Sequence, residues 1–382
     1  MSYTALARRY RSQDFDEVVG QEPIARTLQG AIAADRVAHA YLFTGTRGVG
    51  KTTMARIFAK ALNGVDPKKD AGVAQAVMTG QDTDVIEIDG ASNNSVDDAR
   101  ELIANSGYRP MRGQFKIYII DEVHMLSTAA FNALLKTMEE PPEHVKFILC
   151  TTEAHKVPPT IQSRCQRFDF RAIASHVIAD RLADVVKQEK LKAEPELLAM
   201  VARLGNGSMR DALSLLDRVM ASGEKTLTVK LLEELLGLPP RELIGRVIDA
   251  CSTGDPRAAL EASDELLKTA ASPDQMLEAL IERLRDLMVL AVCGAETNLV
   301  DLSAEARQEE AARAQNFGPA GLVHLIALCE AVQRSSKSSP NPRALVDALM
   351  VRMAVADQLA DVTTIARQLA GAGSGALPAG KA

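Results

Sequence analysis

Gly45-Thr46-Arg47-Gly48-Val49-Gly50-Lys51-Thr52 fits the pattern G-x-x-x-x-G-K-[ST] at every fixed position. The chemistry of a phosphate-binding loop asks for these residue types at this spacing. Gly45 and Gly50 open backbone conformations closed to other residues, so the consecutive N–H groups of Thr46, Arg47, Gly48 and Val49 can turn inward around phosphate oxygens. Lys51 supplies a point charge for the β- and γ-phosphates, and the Thr52 hydroxyl is placed to ligate Mg²⁺. The flanks supply the context the motif needs. Ala40-Tyr41-Leu42-Phe43 is a short apolar run that reads as a buried strand. Residues 53–62, from Thr53 on, carry Met54, Ile57, Phe58 and Ala61 at helical spacing. The loop therefore joins a strand to a helix N-terminus, where an anion is favoured. A chance match in a non-binding loop would not bring that strand and helix with it.

Downstream, residues 63–83 are polar and Gly-containing, include Asp66-Pro67-Lys68-Lys69-Asp70, and read as an exposed insertion. Asp84-Val85-Ile86-Glu87-Ile88-Asp89 alternates as a strand, and Asn93-Asn94-Ser95 caps a helix carrying Val96, Leu102 and Ile103. Phe115-Lys116-Ile117-Tyr118-Ile119-Ile120 is a buried strand ending in Asp121-Glu122. Carboxylates at that end of a strand sit where an α/β sheet binds its ligand. After a phosphate-binding loop they read as a pair in which Asp121 holds Mg²⁺, largely through water, and Glu122 polarises the attacking water. A helix over residues 127–140 stops at Pro141-Pro142. Val145-Lys146-Phe147-Ile148-Leu149-Cys150 is the next strand and ends in Thr151-Thr152, hydroxyls that belong beside a γ-phosphate. With Arg167-Phe168-Asp169-Phe170 there are five strand-like segments alternating with helices up to about residue 172. That pattern predicts a parallel sheet with helices on both faces.

Upstream, Leu6-Ala7-Arg8-Arg9-Tyr10-Arg11 precedes an amphipathic helix over residues 23–35, with Pro23 in its first turn and Ile24, Leu28, Ala31 and Ile32 on one stripe. Such a basic run is ordinarily a solvated surface; just ahead of a nucleotide site it is also placed to close over a base. Residues 173–236 read as a small helical bundle. There Ser208 caps a helix whose first turn holds Arg210, where a cation is unfavourable unless it meets a ligand. From residue 242 to 369 the pattern is helical throughout, with breaks at Gly254-Asp255-Pro256, Ser272-Pro273, Gly318-Pro319 and Ser338-Ser339-Pro340, and residues 370–382 have the composition of a disordered tail.

The 382 residues suffice for two or three domains. A net charge of −6 argues against a whole-surface nucleic-acid coat, though not against a local basic lining. No apolar run reaches 18 residues and the N-terminus lacks a signal peptide, so the expectation is a cytoplasmic protein without membrane contact. Cys150, Cys165, Cys251, Cys293 and Cys329 are scattered, form no C-x-x-C pair, and are expected as buried free thiols.

Ala7-Arg8-Arg9-Tyr10-Arg11, Val19-Gly20-Gln21-Glu22, His39-Ala40-Tyr41-Leu42-Phe43, the loop itself, Ile120-Asp121-Glu122-Val123-His124-Met125-Leu126, Glu139-Glu140-Pro141-Pro142 and Ser163-Arg164-Cys165 together resemble the AAA+ clamp loader subunits of bacterial DNA polymerase III. The resemblance is dense over residues 1–240 and weaker beyond. It implies an α/β P-loop AAA+ domain with a parallel sheet (1–172), a small helical lid domain (173–237), an all-α collar for oligomerisation (238–369) and the tail. It also implies that Arg164 acts in trans on ATP held by a neighbour, that Arg210 contacts the chain's own nucleotide, and that Thr151 or Thr152 senses the γ-phosphate. Tyr10, Arg11, Val18 and Val19 would hold adenine and ribose, while Lys136 and the Asn93–Ser95 turn would face DNA. ATP and Mg²⁺ are the implied cofactors. Implied partners are delta-like and delta-prime-like subunits, further copies of this chain, a sliding clamp and primer–template DNA.

One departure stands out. The family usually carries a four-cysteine zinc module between the P-loop helix and the next strand, but residues 63–83 contain neither Cys nor His, so no zinc site is expected there. The function these features imply is an ATPase motor that opens and loads the clamp. A branch-migration or initiator-type AAA+ motor would end in a winged helix instead of a long helical region. A non-hydrolysing scaffold would need neither Lys51-Thr52 nor Asp121-Glu122.

Overall fold

Strands whose residues are apolar at every position can be buried only between two layers, and the alternation of side chains then assigns each residue to one layer. The computed structural model describes residues 4–269, 272–297, 299, 300, 302 and 304–356, and its sheet has five strands. They are β1 (Ala40–Thr44), β2 (Val85–Asp89), β3 (Lys116–Asp121), β4 (Val145–Thr151) and β5 (Gln166–Asp169). The three inner ones, β3, β4 and β1, are buried in this way, while the edge strands β2 and β5 are partly exposed. Their order is β2-β3-β4-β1-β5, and every pairing is parallel. On one face Tyr41, Phe43, Ile117, Ile119 and Ile148 pack with Leu28 of helix Glu22–Ala33 and with Met54, Ile57 and Phe58 of helix Lys51–Leu62. On the other, Leu42, Tyr118, Ile120, Phe147 and Leu149 pack with Leu102 of helix Val96–Ser106 and with Phe131, Leu134 and Met138 of helix Thr128–Glu139. The expected α/β layering is therefore present. The register places Asp89 opposite Asp121 and Thr44 opposite Thr151, so the carboxyl ends of the strands form one polar edge.

The segment read as an exposed insertion is not one. Helix Ala71–Thr79 buries Ala74, Val77 and Met78, and the last two join the core around helix Lys51–Leu62. Their spacing of three and four is that of a helix stripe. The polar and Gly residues on either side mask it in the sequence. The strong pair Arg56–Glu87, with Nε to Oε2 at 2.6 Å, fastens helix Lys51–Leu62 to β2 nearby.

The chain divides into two compact units, Met1–Thr226 and Leu227–Ala382. In the first, the sheet layer is followed by helices Ser175–Gln188, Pro195–Leu204 and Met209–Met220, which bury Leu182, Val201 and Leu216 against one another. Leu6 of the short helix Leu6–Arg9 is fully buried and its N–H donates to Asp217 Oδ2 at 3.2 Å, so the basic N-terminal run is anchored on this bundle. The described residues of the second unit are mainly helical. Val229–Leu236, Arg241–Ser252, Pro256–Lys268, Pro273–Cys293, Ala304–Gln315, Gly318–Ser336 and Pro342–Ala354 follow one another, and most bury residues of a single apolar cluster that includes Leu280, Leu284 and Met350. The expected breaks coincide with helix ends, and helix Pro273–Cys293 also ends at Gly294, at φ 77°, where no break is expected from the sequence. The tail assigned to residues 370–382 lies outside the described residues. All five cysteines are free, but only Cys150, Cys251 and Cys329 are buried, with Cys165 half-buried and Cys293 exposed. No helix among the described residues is long and apolar enough to cross a membrane.

Candidate active site

The loop that follows β1 takes its shape from glycine. Gly45, Gly48 and Gly50 have φ of 144°, 77° and 102°, values that side-chain-bearing residues adopt only under strain. Gly50 is the residue before helix Lys51–Leu62. The loop thus delivers its backbone to the positive end of a helix dipole. Lys51 is 5% exposed, and its Nζ donates to the carbonyls of Gly45 and Thr46, both at 2.8 Å. Burial lowers the Lys51 pKa, with the charges of Glu122 and Asp121 acting in the opposite sense.

β3 brings the carboxylates to this loop. Thr52 Oγ1 donates to Asp121 Oδ2 at 2.6 Å across 69 positions of sequence. Burial raises the Asp121 pKa, partly offset by that hydrogen bond. Glu122 sits at φ 45°, a left-handed backbone that ends the strand abruptly and turns its side chain toward the end of β4. There Glu122 Oε2 accepts from the Thr152 hydroxyl at 3.0 Å and from the Thr152 N–H at 3.3 Å. Thr151 is engaged differently, with its Oγ1 3.0 Å from His124 Nδ1. Of the two candidate threonines, Thr152 is the one on the carboxylate.

A cleft opens over the loop. It is lined by Tyr10, Arg11, Val18 and Val19 on one side, by residues 47–53, Asp121 and Glu122 on its floor, and by Met209, Arg210 and Leu213 on the other. The Arg210 N–H approaches the Gly48 carbonyl at 3.4 Å, which sets the first turn of its helix directly on the loop. Ser208 caps that turn by accepting from Asp211 N–H at 3.2 Å. Arg11 is held below the usual arginine pKa by burial and by Arg56, with Arg210 and Arg8 adding to it. Arg11, Arg47, Arg181 and Arg210 all line the cleft, and like charges around one cavity are costly without an anion to receive them. Tyr10 is fixed by donating its hydroxyl to Glu189, which also pairs with Arg9.

Several lining residues carry no signal in the sequence. Arg181, on helix Ser175–Gln188, and Ile173 complete the cleft wall, and neither belongs to a motif; only the docking of the bundle brings them in. His124 was visible within Asp121-Glu122-Val123-His124 but carried no role. Arg164 is not in the cleft of its own chain. It pairs with Glu139 and donates from Nη1 to the Thr160 carbonyl at 2.6 Å, with its side chain 32% exposed. The two segments expected to face DNA are joined, because Ser127 N–H donates to the Asn94 carbonyl at 3.1 Å and Ser127 caps the helix that carries Lys136.

Comparison with known proteins bears on this geometry. Residues 20–174 match the family described as "DNA polymerase III, delta subunit", residues 177–225 the "DNA polymerase III clamp loader subunit, ATPase lid domain", and residues 227–369 "DNA polymerase III subunits gamma and tau domain III". The chain is 46% identical over 294 residues to DNA polymerase III subunit tau of Bacillus subtilis, covering 76% of this chain and 52% of the relative. It is 37% identical over 357 residues to subunit tau/gamma of Haemophilus influenzae, covering 92% and 51%. With DNA polymerase III subunit gamma of Buchnera aphidicola it shares 42% identity over 247 residues, 63% of this chain and 68% of the relative. The chain spans about half the length of the first two of these relatives. On these matches, the chain belongs to the DNA polymerase III gamma/tau family of clamp loader subunits.

Proposed function

We propose that the chain is an ATPase motor subunit of a replicative clamp loader, in which ATP binding drives opening and loading of a sliding clamp on primed DNA and hydrolysis releases it. The observation that carries this reading is the convergence of Lys51, Thr52, Asp121, Glu122 and Thr152 from three separate strand ends onto one glycine-shaped loop. In this reading the loop N–H groups from Thr46 to Thr53 and the Lys51 ammonium receive the triphosphate, and Arg210 reaches it from the bundle. Tyr10, Arg11, Val18 and Val19 flank adenine and ribose. Thr52 and Asp121 suit Mg²⁺: a hydroxyl and a carboxylate 2.6 Å apart are a common protein contribution to an ion that takes its other oxygens from phosphate and water. That ion would neutralise charge on the β- and γ-phosphates. Glu122, held by Thr152, polarises the attacking water.

Arg164 lies outside its own cleft, which suits a group that completes a neighbour's site. Copies of this chain and delta-like and delta-prime-like subunits are then the partners, with clamp and primer–template DNA as the objects handled in the cytoplasm at replication forks. The division into nucleotide-binding domain 1–172, lid 173–237 and collar 238–369 belongs to the same reading. The test is a reconstituted complex assayed for ATP hydrolysis with clamp and primed DNA. Lys51→Ala is expected to lower turnover by at least about 100-fold. Hydrolysis at the parent rate, or no stimulation of the parent by clamp and DNA, would overturn the proposal.

A further inference from the structure

His124 is among the most buried ionisable side chains near the cleft, and its ring has a polar neighbour at each nitrogen. Its side chain is 6% exposed. Nδ1 lies 3.0 Å from Thr151 Oγ1 and 3.4 Å from Glu122 Oε2, while Nε2 lies 3.1 Å from Glu153 Oε2. Glu153 is anchored in turn, with its N–H donating to Thr151 Oγ1 at 3.0 Å and its carboxylate accepting from Lys156 Nζ at 2.9 Å. His155 Nε2 stands 3.9 Å from the other Glu153 oxygen. The ring therefore joins the turn after β3 to the turn after β4, which carry Glu122 and Thr152 respectively.

Glutamate has a long side chain, and in solution its carboxylate samples many rotamers. A carboxylate that must polarise one water has to occupy one of them. Thr152 restrains Glu122 from one side by two hydrogen bonds. We infer that His124 is a positioning residue that completes this restraint, holding the Glu122 carboxylate and the Thr151–Glu153 turn in one fixed relation through its Nδ1 edge. The inference rests on the reading of Glu122 as the group that polarises water.

The test uses the reconstituted complex with clamp and primed DNA. His124→Ala is expected to lower kcat by about tenfold, with KM and the dissociation constant of a fluorescent ATP analogue within twofold of the parent. His124→Asn, whose amide nitrogen can stand where Nδ1 does, is expected to restore most of the loss, and His124→Gln to restore less. Alanine turning over at the parent rate would overturn the inference, as would a loss of ATP affinity in step with kcat. Should the alanine variant fail to fold, the comparison of Asn with Gln decides: Asn faster supports the inference, and Asn equal to or slower than Gln overturns it. Glu122→Gln in the same assay separates the two readings. If it hydrolyses at the parent rate, the role of Glu122 falls and the inference falls with it; if it is inactive while His124→Ala matches the parent, only the inference fails.

Discussion

Gly48 occupies a position that the phosphate-loop pattern leaves free, yet like Gly45 it has no room for a side chain. Its φ of 77° is left-handed, and a Cβ there would lie 1.8 Å from Ser208 Oγ and 3.3 Å from Arg210 Cβ. The demand comes from the helical bundle closing on the loop, so no pattern confined to residues 45–52 could express it. Gly48→Ala is accordingly expected to cost about 1–3 kcal/mol in denaturant unfolding and to weaken ATP binding, because the displaced element carries Arg210. Lys51, Thr52, Asp121 and Glu122 were legible, since their chemistry dictates residue type and spacing. His124 and Arg181 were not, because their meaning lies in contacts with residues remote in sequence.

At the scale of single elements, buried carboxylates and apolar stripes hold segments that look loose in the sequence. Asp84, 2% exposed, accepts from the N–H groups of Met111, Arg112 and Gly113 at 2.6, 2.8 and 2.9 Å, and so ties down the loop ahead of β3. Burial pushes this carboxyl up, but the three donors outweigh it and hold the pKa below the ordinary value. A depressed carboxyl pKa stabilises the fold above the unfolded value of about 4, and the contribution is lost as pH falls through the folded value. Asp84→Asn should therefore destabilise by about 1–3 kcal/mol at pH 7, with the gap to the parent narrowing below about pH 4 in urea unfolding. Helix Ala71–Thr79 makes the same point for apolar packing. Met78, 6% exposed, truncated to Ala should cost about 2–3 kcal/mol, whereas an exposed loop would register almost nothing. Ala74, Val77 and Met78 carry the helix signal at their spacing, while the polar residues on either side of the helix obscure it in the composition.

For the whole molecule, what sequence made plain is the layering, because alternation along the inner strands assigns each residue to a face. The break of the chain at Leu227 was less plain, since helix follows helix on both sides and no change of period marks the border. A fragment ending at Thr226 contains every residue of the cleft and is expected to bind ATP with an affinity within about threefold of the full chain, as read by titration of a fluorescent analogue. Binding is a property of one chain in this account; hydrolysis is not. Arg164 rests on Glu139 at the surface, outside the cleft of its own chain, and the proposal gives it to a neighbour's nucleotide. Arg164→Ala, assembled with its partners and assayed with clamp and primed DNA, should bind ATP within twofold of the parent and hydrolyse it at least about 100-fold more slowly. Turnover at the parent rate in that assembled complex would contradict the account.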